Sequence, residues 1–430
     1  SRLVFHGQAM AGRFTRDNVY WLVESESGPR PTSRTIAPGA SEVATRWYTA
    51  TLRRELDTEY YPSIGAAESE DRWLWGRPLA PGTMRTEEFR IAPLEASGYE
   101  GTLGVRLRGC SSDDAIRPDH HVRLVLNDRP LADLRFDGIG PQMVERPVPG
   151  DFLRAGTNRL TVANVGDTGA AVDQVALDWF ELVYRSELVA VDDGVVFAPD
   201  PLGRAFAVAG FTTPDIALYD VSDELRPVRL EGGQIVRTSR GDYELLFARE
   251  PDPTARYAAY ASGALMPPAQ VVANTPSDWR TDRHGADWLV VTHGQFARAL
   301  EPLVAERAAQ GLRTATVLVD DVYDEFSHGV FDPRAVRALL QYAYDRWERP
   351  AVSYVLLVGE CSLDYLQAYG SQTGNYVPSM QVTSNWSGDL QVVTSDLWFA
   401  NLEGADDSPP EVYIGRFPVS SSAEAATIVA

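Results

Sequence analysis

An imidazole and a thiol stand just past two short apolar runs, and they are the first residues here able to do chemistry together. Asp287-Trp-Leu-Val-Val-Thr292 runs into His293-Gly294, and Tyr354-Val-Leu-Leu-Val358 runs into Gly359-Glu360-Cys361-Ser362. If the two runs are neighbouring strands, His293 and Cys361 project from adjacent strand ends, where an imidazole activates a thiol as a nucleophile. Each also has a plainer reading, His293 as a polar loop residue and Cys361 as a small buried filler. His328, in Asp324-Glu-Phe-Ser-His328-Gly329, is a second candidate base or a local cap. The adjacent His120 and His121 suggest a metal, but neighbours on a strand face opposite sides and do not easily share one ion. Asp320, Asp321, Asp324 and Glu325 form an acidic cluster, read as a loop, just past the next apolar run. Such carboxylates suit calcium, an oxygen-seeking ion, although the Asp-x-Asp-x-Asp-Gly loop pattern is missing. Asp396, in the aromatic-rich Thr394-Ser-Asp396-Leu-Trp398-Phe399, either lines a cleft or braces the fold.

The elements that must position these residues change character along the chain. Residues 3–270 show almost no helical period. They hold short β-rich runs such as Asn18–Val23, Thr45–Tyr61, Leu103–Leu107, Val122–Leu126, Asn158–Val162 and Val175–Leu182, punctuated by Gly, Pro and Asp. Runs at this spacing predict an antiparallel sandwich. Residues 85–187, with an Asn127-Asp128 turn, read as one jelly-roll-like unit, preceded by an N-terminal β region over 1–84. A smaller β domain occupies 188–268, and Pro267-Pro268 with the polar stretch 274–285 forms a linker.

From 269 to 430 strand and helix patterns alternate. Phe296, Ala299, Leu300, Leu303 and Val304 make a helix face, with Pro302 marking the start of the regular helix. Gly311 ends it. Asp332-Pro333 caps a second stripe of Val336, Leu339, Leu340, Ala343 and Trp347. Strand–helix alternation of this kind predicts a doubly wound α/β domain, whose ligands sit at the carboxyl ends of the strands.

Composition excludes several chemistries. Of 430 residues, 39 are basic and 60 acidic, a formal charge of −21, and every basic residue is Arg. Without Lys there is no P-loop, Schiff-base or protein-kinase lysine. The acidity argues against a nucleic-acid partner, which needs a positive face. No apolar run approaches the ~18 residues of a membrane helix. Two cysteines are too few for a disulfide framework or a Cys-rich zinc site. The start at Ser1 is expected to reflect removal of a targeting segment or trimming. The end inside a helical pattern, with Ser420-Ser-Ser422 and Glu424 as its cap, suggests a fragment.

Residues 286–430 resemble the gingipain-type cysteine peptidases, peptidase family C25. The matching pieces are Asp287 to His293, Gln310-Gly-Leu-Arg313, Asp321 through Asp332-Pro333, Tyr354 to Gly359, Thr394-Ser-Asp396 and Tyr413-Ile-Gly-Arg-Phe-Pro418. The N-terminal portion is similar to the region preceding this domain, in Phe5-His-Gly7, Asn18 to Leu22, Glu59-Tyr-Tyr-Pro62 and Asp71-Arg-Trp-Leu-Trp75. The resemblance implies a caspase–gingipain-like α/β fold and a secreted or cell-surface endopeptidase without an obligatory cofactor. It also implies two α/β halves, of which this is the first. The catalytic His and Cys then lie in a second half after residue 430, which is the expected partner alongside protein substrates. His293 matches a position where relatives often carry a non-catalytic His, and Glu360 and Cys361 replace residues usually Asp and Gly. No catalytic residue is therefore expected in this chain. Two other accounts stand beside this one: a self-contained peptidase using Cys361 and His293, and an adhesion protein whose sandwich binds glycan or protein.

Overall fold

Strands that alternate between two faces need two layers to bury both, and the chain supplies them twice over. The computed structural model describes residues 4–10, 12–24, 32–61, 72–94, 99–368, 374–386, 389–403 and 409–430. The chain divides into two compact units, each discontinuous in sequence: 1–8, 24–60 and 73–271 form the first, and 9–23, 61–72 and 272–430 the second.

In the first unit, two antiparallel four-stranded sheets face each other. One runs Met84–Ile91, Gly156–Asn164, His120–Leu126, Arg129–Phe136; the other runs Trp47–Glu55, Val175–Glu187, Gly101–Gly109, Gly140–Val148. Their inward residues, among them Phe89, Leu107, Leu124, Leu160, Phe180 and Leu182, make one core. Asn127 and Asp128 both take positive φ, 50° and 69°, the mirror-image turn whose twist suits a two-residue hairpin. The same unit holds a second core, beneath a five-stranded sheet and a three-stranded sheet, in which Phe197, Phe206, Phe247 and Tyr257 meet.

Residues 1–84 are not a region of their own. Thr32–Thr35 pairs in parallel with Val228–Glu231, and Trp47–Glu55 pairs with Val175–Glu187, so both are strands of sheets completed much later in the chain. The expected long strand over 45–61 breaks after Glu55, and Glu59–Tyr60 pairs separately with Trp73–Leu74. Asn18–Val23 is not a strand: it carries no ladder pairing among the described residues. Its Val19 amide is taken by the Asn18 side chain at 2.9 Å, a local bond that competes with a ladder. Pro62 and Asp71 lie outside the described residues.

The second unit is built on a parallel sheet in the order Thr314–Leu318, Trp288–Thr292, Tyr354–Val358, Tyr413–Phe417. Its two central strands are apolar on both faces. Leu289, Val291, Val355 and Leu357 enter a core with the helices α2 (Val319–Phe326), α3 (Arg334–Arg346) and α4 (Leu397–Ala400). Trp288, Val290, Leu356 and Val358 enter another with α1 (Gly294–Ala309) and α5 (Ser422–Val429). Helices on both sides explain why these strands read as unbroken hydrophobic runs. The start of α1 is Gly294, not Pro302. His293 caps it, and Pro302 sits on the exposed side, where water can meet the carbonyl that its ring displaces. Asp332 Oδ1 accepts the Arg334 amide at 2.9 Å, the predicted cap of α3.

Candidate functional site

Parallel strands end together, so the carboxyl edge of this sheet gathers Thr292-His293, Val358-Gly359-Glu360-Cys361 and Arg416-Phe417. Gly359 takes φ 146°, and a Cβ there would meet the Tyr376 side chain at 2.8 Å; the close turn after Val358 thus requires glycine.

The residue that organises this edge is Arg416, which sequence reasoning quoted only as part of a family motif. Its Nε and Nη2 donate to Asp396 Oδ2 and Oδ1 at 2.7 and 2.8 Å. Nη1 also donates to Gly359 O at 2.7 Å and Val377 O at 2.6 Å, and Nη2 to Pro378 O at 3.2 Å. Burial alone would lower the guanidinium's pKa; the hydrogen-bonded Asp396 outweighs that and holds it charged. Asp396 is thus a brace. A charged residue inside a sheet strand, calling for a carboxylate partner, was the available signal.

Cys361 sits beside this pair, half-buried. Burial pushes its thiol pKa up; Arg416 opposes the rise, while Asp396 and Glu360 add to it. A nucleophilic cysteine needs the opposite shift. His293 Nδ1 accepts the Gln295 amide at 3.3 Å, and its ring packs on Phe296 and Tyr376, with centroids 5.9 and 5.2 Å away. Among the described residues no hydrogen bond joins Cys361 to His293. Cys110, in the sandwich, is pushed up to about 11 by burial.

The acidic cluster lies on α2 and not in a loop. Glu325 accepts from the Trp279 and Arg280 amides at 2.9 and 2.7 Å and from Ser277 Oγ, while Asp321 Oδ2 accepts from Trp279 Nε1 at 3.3 Å. Burial, then mutual repulsion among the carboxylates, raises the pKa of Asp324; burial, opposed by Trp279 and reinforced by Glu325 and Asp320, raises that of Asp321. Among the described residues no three His, Cys, Asp or Glu side chains are grouped to hold a metal ion. His328 takes φ 59°, and its carbonyl accepts from Trp21 Nε1 at 2.9 Å. His120 and His121 face opposite sides of their strand and bind different carboxylates, Asp173 for one and Asp167 with Asp133 for the other.

On the sandwich, Arg185 lies 3.7 Å over the Trp47 ring and Arg53 3.9 Å over Trp179. One face of each indole is thereby covered by a guanidinium, which leaves less open aromatic surface for stacking on a sugar.

Comparison with known proteins adds the following. The sequence model of peptidase family C25 matches residues 281–430. No curated protein matches the chain. Among solved structures, dimeric latent PorU from Porphyromonas gingivalis is similar over 93% of this chain and 39% of its own, at 17% identity and a TM-score of 0.66. This is a likeness of fold, and the chain spans about two fifths of that protein's length. A protease structure is 20% identical over 33% of this chain and 26% of its own, with a TM-score of 0.23. The carbohydrate-binding module CBM36 in complex with calcium and xylotriose is 16% identical over 30% and 98%, with a TM-score of 0.21. Scores this low carry no argument. The parallel sheet, its flanking helices and the Arg416–Asp396 edge all fall within residues 281–430, the segment that matches the model of peptidase family C25.

Proposed function

We propose that this chain is the N-terminal portion of a secreted or cell-surface gingipain-like cysteine endopeptidase, and that its α/β unit braces a catalytic half lying after residue 430. The observation that carries this reading is the C25 match over residues 281–430, which hold the parallel sheet and its flanking helices. The state of that unit's own thiol supports it, since Cys361 is held protonated by burial and shares no hydrogen bond with His293. The likeness to PorU, which this chain covers to 39%, is consistent with a longer polypeptide. No helix among the described residues is long and apolar enough to cross a membrane.

In this reading a His-activated thiolate of the second half attacks the scissile carbonyl, and water then resolves the acyl-enzyme. The present chain contributes rigidity: Arg416 ties the third and fourth parallel strands and the 377–378 segment to Asp396, giving the second half a fixed edge to build on. The test compares the 430-residue chain with the polypeptide extended beyond Ala430, on fluorogenic peptides with and without a thiol alkylator. The extended form should cleave and be blocked by alkylation, and the shorter one should not cleave. Cleavage by the 430-residue chain that disappears in Cys361→Ala would overturn the proposal and establish the self-contained dyad.

A further inference from the structure

The parallel sheet ends on one side at the strand Tyr413–Phe417, and no described strand pairs with the outer side of that strand. The Tyr413 amide donates to Ser353 O at 2.9 Å, and Phe417 O accepts from the Gly359 amide at 3.0 Å. Peptide groups alternate along a strand. Residues 413, 415 and 417 therefore aim theirs at Tyr354–Val358, and Ile414 and Arg416 aim theirs outward.

Natural sheet edges are guarded by charge, proline or a bulge. This strand holds no proline and pairs in unbroken register. Its one charged side chain, Arg416, is turned inward to Asp396 and is 10% exposed. The opposite face is bare. Tyr413 is 73% exposed and stacks at 5.6 Å on Tyr354, itself 46% exposed. Gly415 is exposed, and a Cβ built on it meets nothing within 4 Å. Glycine inside a strand often marks a place where another backbone comes close.

The edge also matches itself. Run antiparallel about Gly415, Ile414 faces Arg416 of the second copy, and Arg416 faces Ile414 of the second copy. Such a register uses every outward N–H and C=O of Ile414 and Arg416 in hydrogen-bonded pairs. Gly415 meets its own counterpart on the two-fold axis, and Tyr413 meets Phe417 of the second copy, an aromatic cross-strand pair. Asp396 cancels the charge of Arg416, so the two edges meet without like-charge repulsion although the chain carries −21.

We propose that Tyr413–Phe417 is a self-association edge, through which two copies of this chain pair antiparallel about Gly415 and join their sheets into one. The interface is isologous, as a two-fold axis requires. It is built on one short strand per copy, so the association is weak and depends on concentration.

Sedimentation equilibrium of the 430-residue chain from about 1 µM to about 200 µM should show monomer and dimer in exchange. Amide exchange at Ile414 and Arg416 should slow as the concentration rises. Gly415→Asp and Gly415→Lys each set like charges face to face on the axis, while within one chain the new side chain enters open space. Either variant alone should weaken the dimer at least about tenfold, and an equimolar mixture of the two should restore it, because only the mixture sets Asp opposite Lys. If one of them does not fold, Tyr413→Glu, at a position already open to solvent, must weaken the dimer instead. A monomer throughout the range, a dimer indifferent to charge at 415, or a mixture no tighter than its components overturns the proposal. So does an edge that becomes protected only in the polypeptide extended beyond Ala430, which assigns it to the catalytic half.

Discussion

Arg416 grips Asp396 with two hydrogen bonds, of 2.7 and 2.8 Å, while its remaining donors close on three backbone carbonyls. This one side chain joins the fourth parallel strand, the turn after the third, the 377–378 segment and the N-terminus of α4. Removing it leaves a half-buried carboxylate and three carbonyls without their donor. Arg416→Ala should destabilise the α/β unit by about 3–5 kcal/mol. Arg416→Lys should recover only part of this, since one ammonium cannot reproduce the planar fork. Denaturant titration followed at the unit's tryptophans measures both; a change below 1 kcal/mol in Arg416→Ala would refute the bracing role.

At the opposite end of the same sheet, Asp287 and Arg313 pin the first two parallel strands through contacts of 2.8 and 3.2 Å and a 2.8 Å bond from the Arg313 amide. The Arg313 side-chain and then backbone hydrogen bonds hold the Asp287 carboxyl below the ordinary carboxylate range. A depressed acid pKa gives stability that is present above the unfolded-state value and lost as pH falls through the folded one. The pair is partly exposed, so its share is about 1 kcal/mol after solvent screening. Asp287→Asn should lower stability near neutrality by that amount and flatten the acid limb of the stability curve.

Neither thiol should behave as a reactive cysteine. Burial raises Cys361 and pushes Cys110 up to about 11, so little thiolate exists near neutrality. Alkylation of the native chain near pH 7.5 should be at least tenfold slower than that of a free thiol, with a common rate recovered on unfolding. Fast labelling of Cys361 alone would point back to a nucleophile.

Phe14 is 7% exposed, packs edge-on against Tyr365 with centroids 5.2 Å apart and lies under Arg334. Phe14→Ala should weaken the α/β unit by about 3 kcal/mol. The sandwich should be unaffected, which calorimetry combined with hydrogen exchange can separate.

What was legible in the sequence was local. The run at 354–358 announced a doubly covered strand because Val355 to Val358 are all apolar, and Asn127-Asp128 announced a hairpin because both tolerate positive φ. Asp332 announced its helix by capping chemistry. Pro302 misled because its preference for a first turn was outweighed by His293 capping nine residues earlier and by an exposed position that tolerates it. The acidic residues at 320–325 read as a loop because their charge hid the apolar Val319, Val322 and Tyr323 that α2 buries. Asp396 remained undecided because its partner lies 20 residues away and is set by the sheet, not by spacing. The strands at 32–35 and 47–55 find partners more than a hundred residues on, which no local pattern encodes.

That the α/β unit recruits residues 9–23 has a bearing on biosynthesis. Arg13 donates to Gln381 at 3.1 Å across 368 positions of chain. Residues 9–23 are synthesised before the site they dock on, so they cannot dock until the sandwich strands between the two have been made. Closing so long a loop is entropically slow. Assembly of the α/β unit therefore waits for both segments, and removing residues 9–23 should impair it.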